Sequence, residues 1–77
     1  PDPEALLAAF YYHLALGRAP EREGLAGWQA ALEAGLSSLD AAQGFLDSAE
    51  AQARAERPFA TAAELFASAA DAATAQR

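Results

Sequence analysis

The fold is decided by residues 2–20, which read DPEALLAAFYYHLALGRAP. Asp2 and Pro3 are typical of a helix start, because Asp caps free N–H groups and proline suits the first helical position. Large apolar residues then recur with the 3.6-residue period of a helix and form one apolar stripe. Gly17 can adopt the left-handed conformation that often ends a helix. We therefore predict a first helix from about Pro3 to Leu16. Its stripe comprises Leu7, Phe10, Tyr11 and Leu14.

A second helix is predicted after the turn formed by residues 17–20. Pro20 should open this helix and Gly35 should close it. Its interior contains Gly24 and Gly27, each of which costs about 1 kcal/mol relative to alanine in a helix. We expect a neighbouring segment, the first helix, to approach the backbone closely at both positions. The apolar residues with helical spacing are Leu25, Trp28 and Leu32.

The third and fourth helices are predicted to meet at a bend. Ser37 or Ser38 is a suitable N-cap for the third helix. Ser48 is a suitable cap for a short fourth helix over residues 49–56, and we favour a bend there. The alternative is one unbroken helix through Arg57.

The last helix begins with a capping box, in which the side chains of Thr61 and Glu64 each accept from the other residue's N–H group. It is predicted to cover Ala62 to about Ala75. Most of its apolar face consists of alanine methyl groups, which allow close packing but bury little area. Because most large apolar residues precede Phe59, we expect this face to lack a sufficient partner within the chain. The face comprises Leu65, Phe66, Ala69, Ala70 and Ala73.

The composition predicts an all-α fold, a compact bundle of four to five short helices. Of the 77 residues, 24 are alanine and only 17 are larger apolar residues, and valine and isoleucine are absent. Strands favour β-branched residues, so a sheet core is disfavoured. The absence of cysteine excludes disulfides and thiolate metal sites, and the formal charge of −6 makes nucleic acid a poor partner. No apolar run approaches the ~20 residues that span a bilayer, so we expect no membrane insertion.

Catalytic chemistry is not indicated by any residue pattern. His13 is the only histidine, so no second histidine or cysteine completes a zinc site, and no acidic loop has calcium-binding spacing. None of the six serine and threonine residues stands in a motif that marks an activated nucleophile. Acid pairs such as Glu21 with Glu23 lie where helix N-termini favour acids. We therefore predict no enzymatic activity, no metal and no cofactor.

Aromatic and charged side chains near the first turn are the best candidates for a binding site. Tyr12 and Trp28 could stack against a sugar ring, with a core position as the alternative, which we favour for Trp28 because it is the largest single source of burial. Tyr12 lies off the apolar stripe, so a rim position is as plausible as a core position. Arg18 and Glu50 could form a bidentate ion pair that ties the first turn to the back half of the domain. The alternative is two solvated charges.

Residues 12–28, YHLALGRAPEREGLAGW, resemble the pattern Tyr-x3-Leu-Gly-Arg-x-Pro-Asp-x2-Gly-Leu-x2-Trp of a bacterial family, the domain of unknown function 4214. The resemblance continues to residues 45–50, FLDSAE, and covers about residues 6–54. Three positions depart from the pattern: Glu21 replaces Asp, Gly27 replaces an aromatic residue and Ala51 replaces the closing Phe. The matching positions are Tyr12, Gly17, Arg18, Pro20, Gly24, Trp28, Gly35, Ser48 and Glu50.

The resemblance implies a small all-helical module, often present in tandem copies within large secreted or surface proteins, and it implies no known activity. We expect residues 1–57 to form this module and residues 58–77 to form a C-terminal helix. The alternative for the second part is the start of a degenerate next copy. We therefore expect the chain to be part of a larger extracellular or cell-surface protein.

Two functions follow from these expectations. The favoured one is non-catalytic binding of a glycan or cell-surface polysaccharide through Tyr12, Arg18, Glu21 and Trp28. The alternative is a structural module that packs on further copies or on other protein domains through its alanine-rich last helix. The residues with a predicted structural role are Gly17, Pro20, Gly24, Gly35, Ser48 and Glu50.

Overall fold

The first helix begins and ends where the sequence predicts, but its last turn is wider than an α-helical turn. The computed structural model describes residues 2–76 and places α1 at Pro3–Tyr11, followed directly by a π-helical turn at Tyr12–Leu16. The Asp2 side chain caps α1 as predicted. Gly17 ends the turn in the left-handed conformation, with a φ of 69°.

The π-helical turn places two neighbouring tyrosines in the core. Tyr11 and Tyr12 are 0% and 5% exposed, so Tyr12 takes the core position rather than the rim position. The end of a helix leaves carbonyl groups that need partners. Arg54 supplies them, because its Nη1 donates to the carbonyl oxygens of Leu14 at 3.3 Å and Ala15 at 2.8 Å. This contact holds the segment that follows the fourth helix against the end of the first helix.

The second helix, α2, spans Arg22–Glu33 and starts two residues later than predicted. Pro20 therefore lies in the turn and not at the first helical position. Glu21 occupies the N-cap position with an extended backbone. Its carboxylate accepts hydrogen bonds from Arg18 and Tyr12 instead of from the first N–H groups of the helix. Proline also suits turn positions, so Pro20 does not by itself mark the first helical residue.

The glycines of α2 have different surroundings. A Cβ atom at Gly24 would collide with the Glu21 carboxylate and the Tyr12 hydroxyl, so the approach is close there, although it is made by side chains. A Cβ atom at Gly27 would have no packing neighbour from residues 2–76 within 4 Å, so the predicted close approach at this position is wrong. Gly35 follows the end of α2 with a φ of 115° and closes the helix as predicted.

The bend predicted at Ser48 is present. The third helix, α3, spans Ser38–Asp47 with Ser37 as its cap, and α4 spans Ala49–Gln52 with Ser48 as its cap. The unbroken-helix alternative is therefore wrong. The fourth helix is also shorter than predicted, because the chain turns at Arg54 toward the first helix.

The last helix, α5, spans Ala62–Ala75 and begins with the predicted capping box. Its alanine-rich face packs against α1 and α3, where Leu65 and Ala69 are fully buried in one cluster with Tyr11 and Phe45. The expectation that this face lacks a partner in the chain is therefore wrong. The physical reason is that alanines on all three helices let the backbones approach closely enough for a few large side chains to fill the space.

Residues 2–76 contain five α-helices and no strand, which confirms the predicted all-α bundle. The radius of gyration is 11.3 Å, close to the ~11–12 Å of a compact domain of this length. The predicted parts, residues 1–57 and 58–77, share one core, and the origin of the second part as the start of another copy stays a prediction. None of the helices in the described range is long and apolar enough to cross a membrane.

Candidate functional site

Arg18 and Glu50 form the predicted bidentate ion pair. The Nε of Arg18 donates to Oε2 of Glu50 at 2.5 Å and its Nη2 donates to Oε1 at 2.9 Å. Gly17 ends the first helix just before Arg18, and Ser48 starts α4 just before Glu50, so two helix ends position the pair. The hydrogen bonds raise the pKa of Arg18 and lower the pKa of Glu50. The side chains are 38% and 45% exposed, so solvent screens the pair.

Tyr12 and Glu21 extend this pair into a network, here called the Arg18 cluster (Tyr12, Arg18, Glu21 and Glu50). The Nη1 of Arg18 donates to Oε2 of Glu21 at 2.9 Å, and the Tyr12 hydroxyl donates to Oε1 of the same carboxylate at 3.2 Å. The guanidinium carbon lies 5.1 Å from the centroid of the Tyr12 ring, which is a cation–π contact. Burial, and then the hydrogen bond to Glu21, raise the pKa of Tyr12.

Two motif glycines make room for this arrangement. Gly24 leaves space for the Tyr12 hydroxyl and the Glu21 carboxylate, which a Cβ atom at this position would strike. Gly17 adopts a left-handed conformation, and the Arg54 guanidinium carbon lies 3.1 Å from the position of a Cβ atom there. The two glycines therefore have structural roles, as predicted.

Trp28 lies beside the Arg18 cluster and is half-buried. Its ring centroid is 4.5 Å from that of Phe45, and its Cη2 lies 3.0 Å from where a Cβ atom of Gly44 would be. The indole thus packs against the core, and part of it also lines a shallow cavity of about 190 Å³. This Trp28 cavity is further lined by Tyr12, Leu16, Arg18, Phe45, Ser48 and Glu50.

Three of the four predicted binding residues line the Trp28 cavity, and the fourth supports them. Tyr12, Arg18 and Trp28 line the cavity, whereas Glu21 does not and instead holds Arg18 and Tyr12 by hydrogen bonds. Of the predicted structural residues, Ser48 and Glu50 also lie at the cavity.

The profile of a family described as Domain of unknown function (DUF4214) matches residues 6–55 of the chain. The chain belongs to this family. The matched segment contains the whole Arg18 cluster and Trp28, whereas α5 lies beyond it. No curated protein and no solved structure matches the chain. The DUF4214 description assigns no activity, so any function has to be argued from the geometry.

The sequence did not point to two residues that shape the Trp28 cavity. Gly44, in α3, faces the edge of the indole, and Phe45 packs against the same ring. Phe45 in fact contacts three aromatic rings, those of Tyr11, Tyr12 and Trp28. A glycine inside a predicted helix, next to the largest apolar residue of that helix, was the available sign of close packing.

Three carboxylates lie together at the start of α1, away from the Arg18 cluster. One oxygen each of Asp2, Glu4 and Glu33 lies within 4.8 Å of the others. The amide of Gln29 donates to Asp2 at 2.6 Å and to Glu33 at 3.3 Å. The Asp2 side chain also caps α1. The group is accounted for by helix capping and surface hydrogen bonds, and exposed acidic groups of this kind are common without a metal ion.

Proposed function

We propose that the chain is a non-catalytic module of a larger secreted or cell-surface protein and that it binds a glycan at the Trp28 cavity. The observation that carries the proposal is one cavity bordered by a half-buried indole and an exposed bidentate ion pair. Aromatic rings pack against the apolar C–H face of a sugar, and planar charged groups hydrogen-bond its hydroxyls. The secreted or surface location rests on the resemblance of the motif.

The Arg18 cluster holds its charged groups in place before any ligand arrives. Glu21 and the ring of Tyr12 fix the guanidinium of Arg18, so a ligand would not have to order this long side chain. Each Glu50 oxygen accepts one hydrogen bond from Arg18. A carboxylate oxygen has a second acceptor position, so the exposed Glu50 can still accept from a sugar hydroxyl.

The non-catalytic part of the proposal is supported by how four of the six serine and threonine hydroxyls are used. Ser37, Ser48 and Thr61 cap helices, and Thr74 donates back to the carbonyl oxygen of Ala70 at 2.9 Å. A hydroxyl held by its own helix is not activated by an adjacent base, which nucleophilic catalysis requires.

The alternative function, assembly through the alanine-rich face of the last helix, has little exposed surface to act through. Leu65, Ala69 and Ala73 are 0%, 0% and 6% exposed because α1 and α3 cover most of that face. Phe66 and Ala70 are half-buried and remain accessible. Because the exposed area is small, we favour glycan binding over assembly through this face.

Fluorescence of Trp28, the only tryptophan, tests the proposal directly. Neutral oligosaccharides, such as those of glucose and of N-acetylglucosamine, are titrated into the full chain and the binding heat is measured in parallel. We expect a saturable change in emission and a matching heat. The absence of both with every oligosaccharide would contradict glycan binding at this cavity.

Arg18→Lys and Arg22→Lys form a matched pair for this test. Lysine keeps the charge of Arg18 but cannot make the bidentate contact with Glu50, so we expect Arg18→Lys to weaken binding. Arg22 lies exposed at the start of α2 and does not line the cavity, so Arg22→Lys should bind as the parent chain does. Circular dichroism checks that both variants fold. Equal binding by the two variants would remove Arg18 from the site.

A further inference from the structure

A second cavity, of about 240 Å³, lies on the other side of α3 from the Trp28 cavity. Residues 57–60 line it, and they belong to the segment of residues 53–61, here called the strap, which connects α4 to α5 without helical structure of its own. Its floor is apolar: Ala15 and Ala51 are 6% and 5% exposed, and Leu46 and Phe59 are half-buried. We call it the strap cavity.

The polar residues of the strap cavity are held in defined orientations. The amide of Gln43 donates to Asp47 at 2.9 Å, within one turn of α3. The amide of Gln52 donates to the carbonyl oxygen of Leu46 at 2.8 Å, and the Nη1 of Arg57 donates to Oε1 of Gln52 at 2.8 Å. These contacts join α3, α4 and the strap.

Most of the hydrogen-bonding capacity of these groups remains for a ligand. A carboxylate has about four acceptor positions, a primary amide two N–H donors and a guanidinium five. Asp47 uses one acceptor position and Arg57 one N–H in the contacts above. Planar groups with paired donors or acceptors match the neighbouring hydroxyls of a sugar ring, and the apolar floor with Phe59 matches its C–H face.

We propose that the strap cavity binds one neutral sugar residue, as a second, separate subsite for the class of glycan in the proposed function, on which this inference rests. The volume is below the ~300–1,000 Å³ typical of pockets for drug-sized ligands, which favours a single ring. Asp47 and Arg57 both line the cavity, so its own charges balance, and the chain carries a charge of −6; a neutral sugar is therefore favoured over an anionic one. The DUF4214 match ends at residue 55, before Arg57 and Phe59.

Side-chain NMR resonances distinguish the two cavities in one titration of the full chain. Maltotriose and the trimer of N-acetylglucosamine are the neutral probes, and trigalacturonate is the anionic comparison. The amide NH₂ signals of Gln43 and Gln52 report the strap cavity, and the indole N–H of Trp28 reports the Trp28 cavity. We expect saturable shifts of the two glutamines with at least one neutral probe and none with trigalacturonate.

Arg57→Gln and Arg22→Gln are the matched variants. Loss of a hydrogen bond to a charged group should weaken the response of the glutamines by about tenfold in Arg57→Gln. Arg22→Gln removes the same charge from an exposed position that does not line the strap cavity and should leave the affinity unchanged. The backbone spectrum checks that each variant folds. Equal affinities for the two variants would overturn the role of Arg57.

The pattern of responses separates failure of this inference from failure of the proposed function. A shift of Trp28 without shifts of the glutamines overturns the strap cavity as a subsite and leaves the proposed function in place. Shifts of the glutamines alone support the strap cavity and overturn the Trp28 cavity as the binding site. No response to either neutral probe overturns both, and equal affinity for trigalacturonate overturns the neutral ligand class.

Discussion

The Arg18 cluster and the core around Leu65 hold the same bundle together by different means. In the core, Tyr11 and Leu65 are 0% exposed and Phe45 is 2% exposed, so apolar burial is the main contribution. In the Arg18 cluster, Arg18 and Glu50 are 38% and 45% exposed, and their contacts are screened by water and salt. The comparison indicates that the core supplies most of the stability, whereas the cluster fixes how the turn before α2 meets the start of α4.

Leu65→Ala should give the largest loss of stability, because it leaves a space in the core shared by α1, α3 and α5. The side chain is fully buried, and Leu→Ala substitutions in cores cost about 2–5 kcal/mol in the free energy of unfolding. Urea denaturation followed by circular dichroism measures the change. Leu39→Ala is the control, since Leu39 is 48% exposed and should change stability by less than about 0.5 kcal/mol. Similar losses for both would mean that α5 is not part of the core.

Gly24→Ala and Gly27→Ala should have opposite effects, although both change a glycine inside α2. Alanine at residue 24 would collide with the Tyr12 hydroxyl and the Glu21 carboxylate, with an expected cost of about 1–3 kcal/mol in the free energy of unfolding. Alanine at residue 27 has open space and should gain up to about 1 kcal/mol from helix propensity. Urea denaturation of both variants measures the difference. A gain in stability for Gly24→Ala would show that the Arg18 cluster adapts easily.

The helices could be predicted from the sequence because their signals are local. The caps at Asp2, Ser48 and Thr61 and the left-handed Gly17 depend only on nearby residues, and the structure has each of them. The start of α2 lies two residues later than predicted. Proline suits a turn as well as the first helical position, so the local pattern at Pro20 does not distinguish the two.

The contacts between helices were harder to predict than the helices themselves. The burial of α5 depends on how closely the alanine-rich helices approach each other. The number of large apolar side chains underestimates this burial. The candidate site was found in part, because the Arg18 and Glu50 pair could be inferred from its two helix ends. The strap cavity could not, since it depends on how residues 53–61 return over α3 after the contact of Arg54 with the first helix.

Tyr11→Phe tests the polar contact inside the core and should have a smaller effect than Leu65→Ala or Gly24→Ala. The Tyr11 hydroxyl donates to the carbonyl oxygen of Ser38 at 2.8 Å, and loss of such a bond costs about 1 kcal/mol in the free energy of unfolding. Burial raises the pKa of Tyr11 to about 12 from its usual value of 10.0. The neutral hydroxyl is therefore favoured in the folded state, and its stabilising contribution should be lost as the pH rises from about 10 to about 12.

Unfolding in urea between pH 8 and pH 12 measures this alkaline loss for the parent chain and for Tyr11→Phe. We expect the variant to be less stable than the parent at pH 8 and to lose less stability on going to high pH. Tyr12→Phe is measured in parallel, because the pKa of Tyr12 is also raised and this variant should remove its own share of the alkaline loss. Parallel alkaline losses for the parent and Tyr11→Phe would assign the effect to other groups.

Glu50→Gln should give the smallest change at neutral pH, because the pair that it weakens is exposed and screened. The effect of the substitution should depend on pH, because the hydrogen bond from Arg18 lowers the pKa of Glu50 below its usual value of 4.5. The stabilising contribution of Glu50 is therefore present above that value and is lost as the pH falls through the lowered pKa. The parent chain should lose this contribution on acidification, whereas Glu50→Gln has none to lose. Thermal melting at pH 7 and pH 3, at low and high salt, measures the difference. Glu56→Gln, at an exposed position of the strap, is the control. If Glu50→Gln and the parent chain lose the same stability between pH 7 and pH 3, the ion pair positions the first turn and α4 without stabilising the fold.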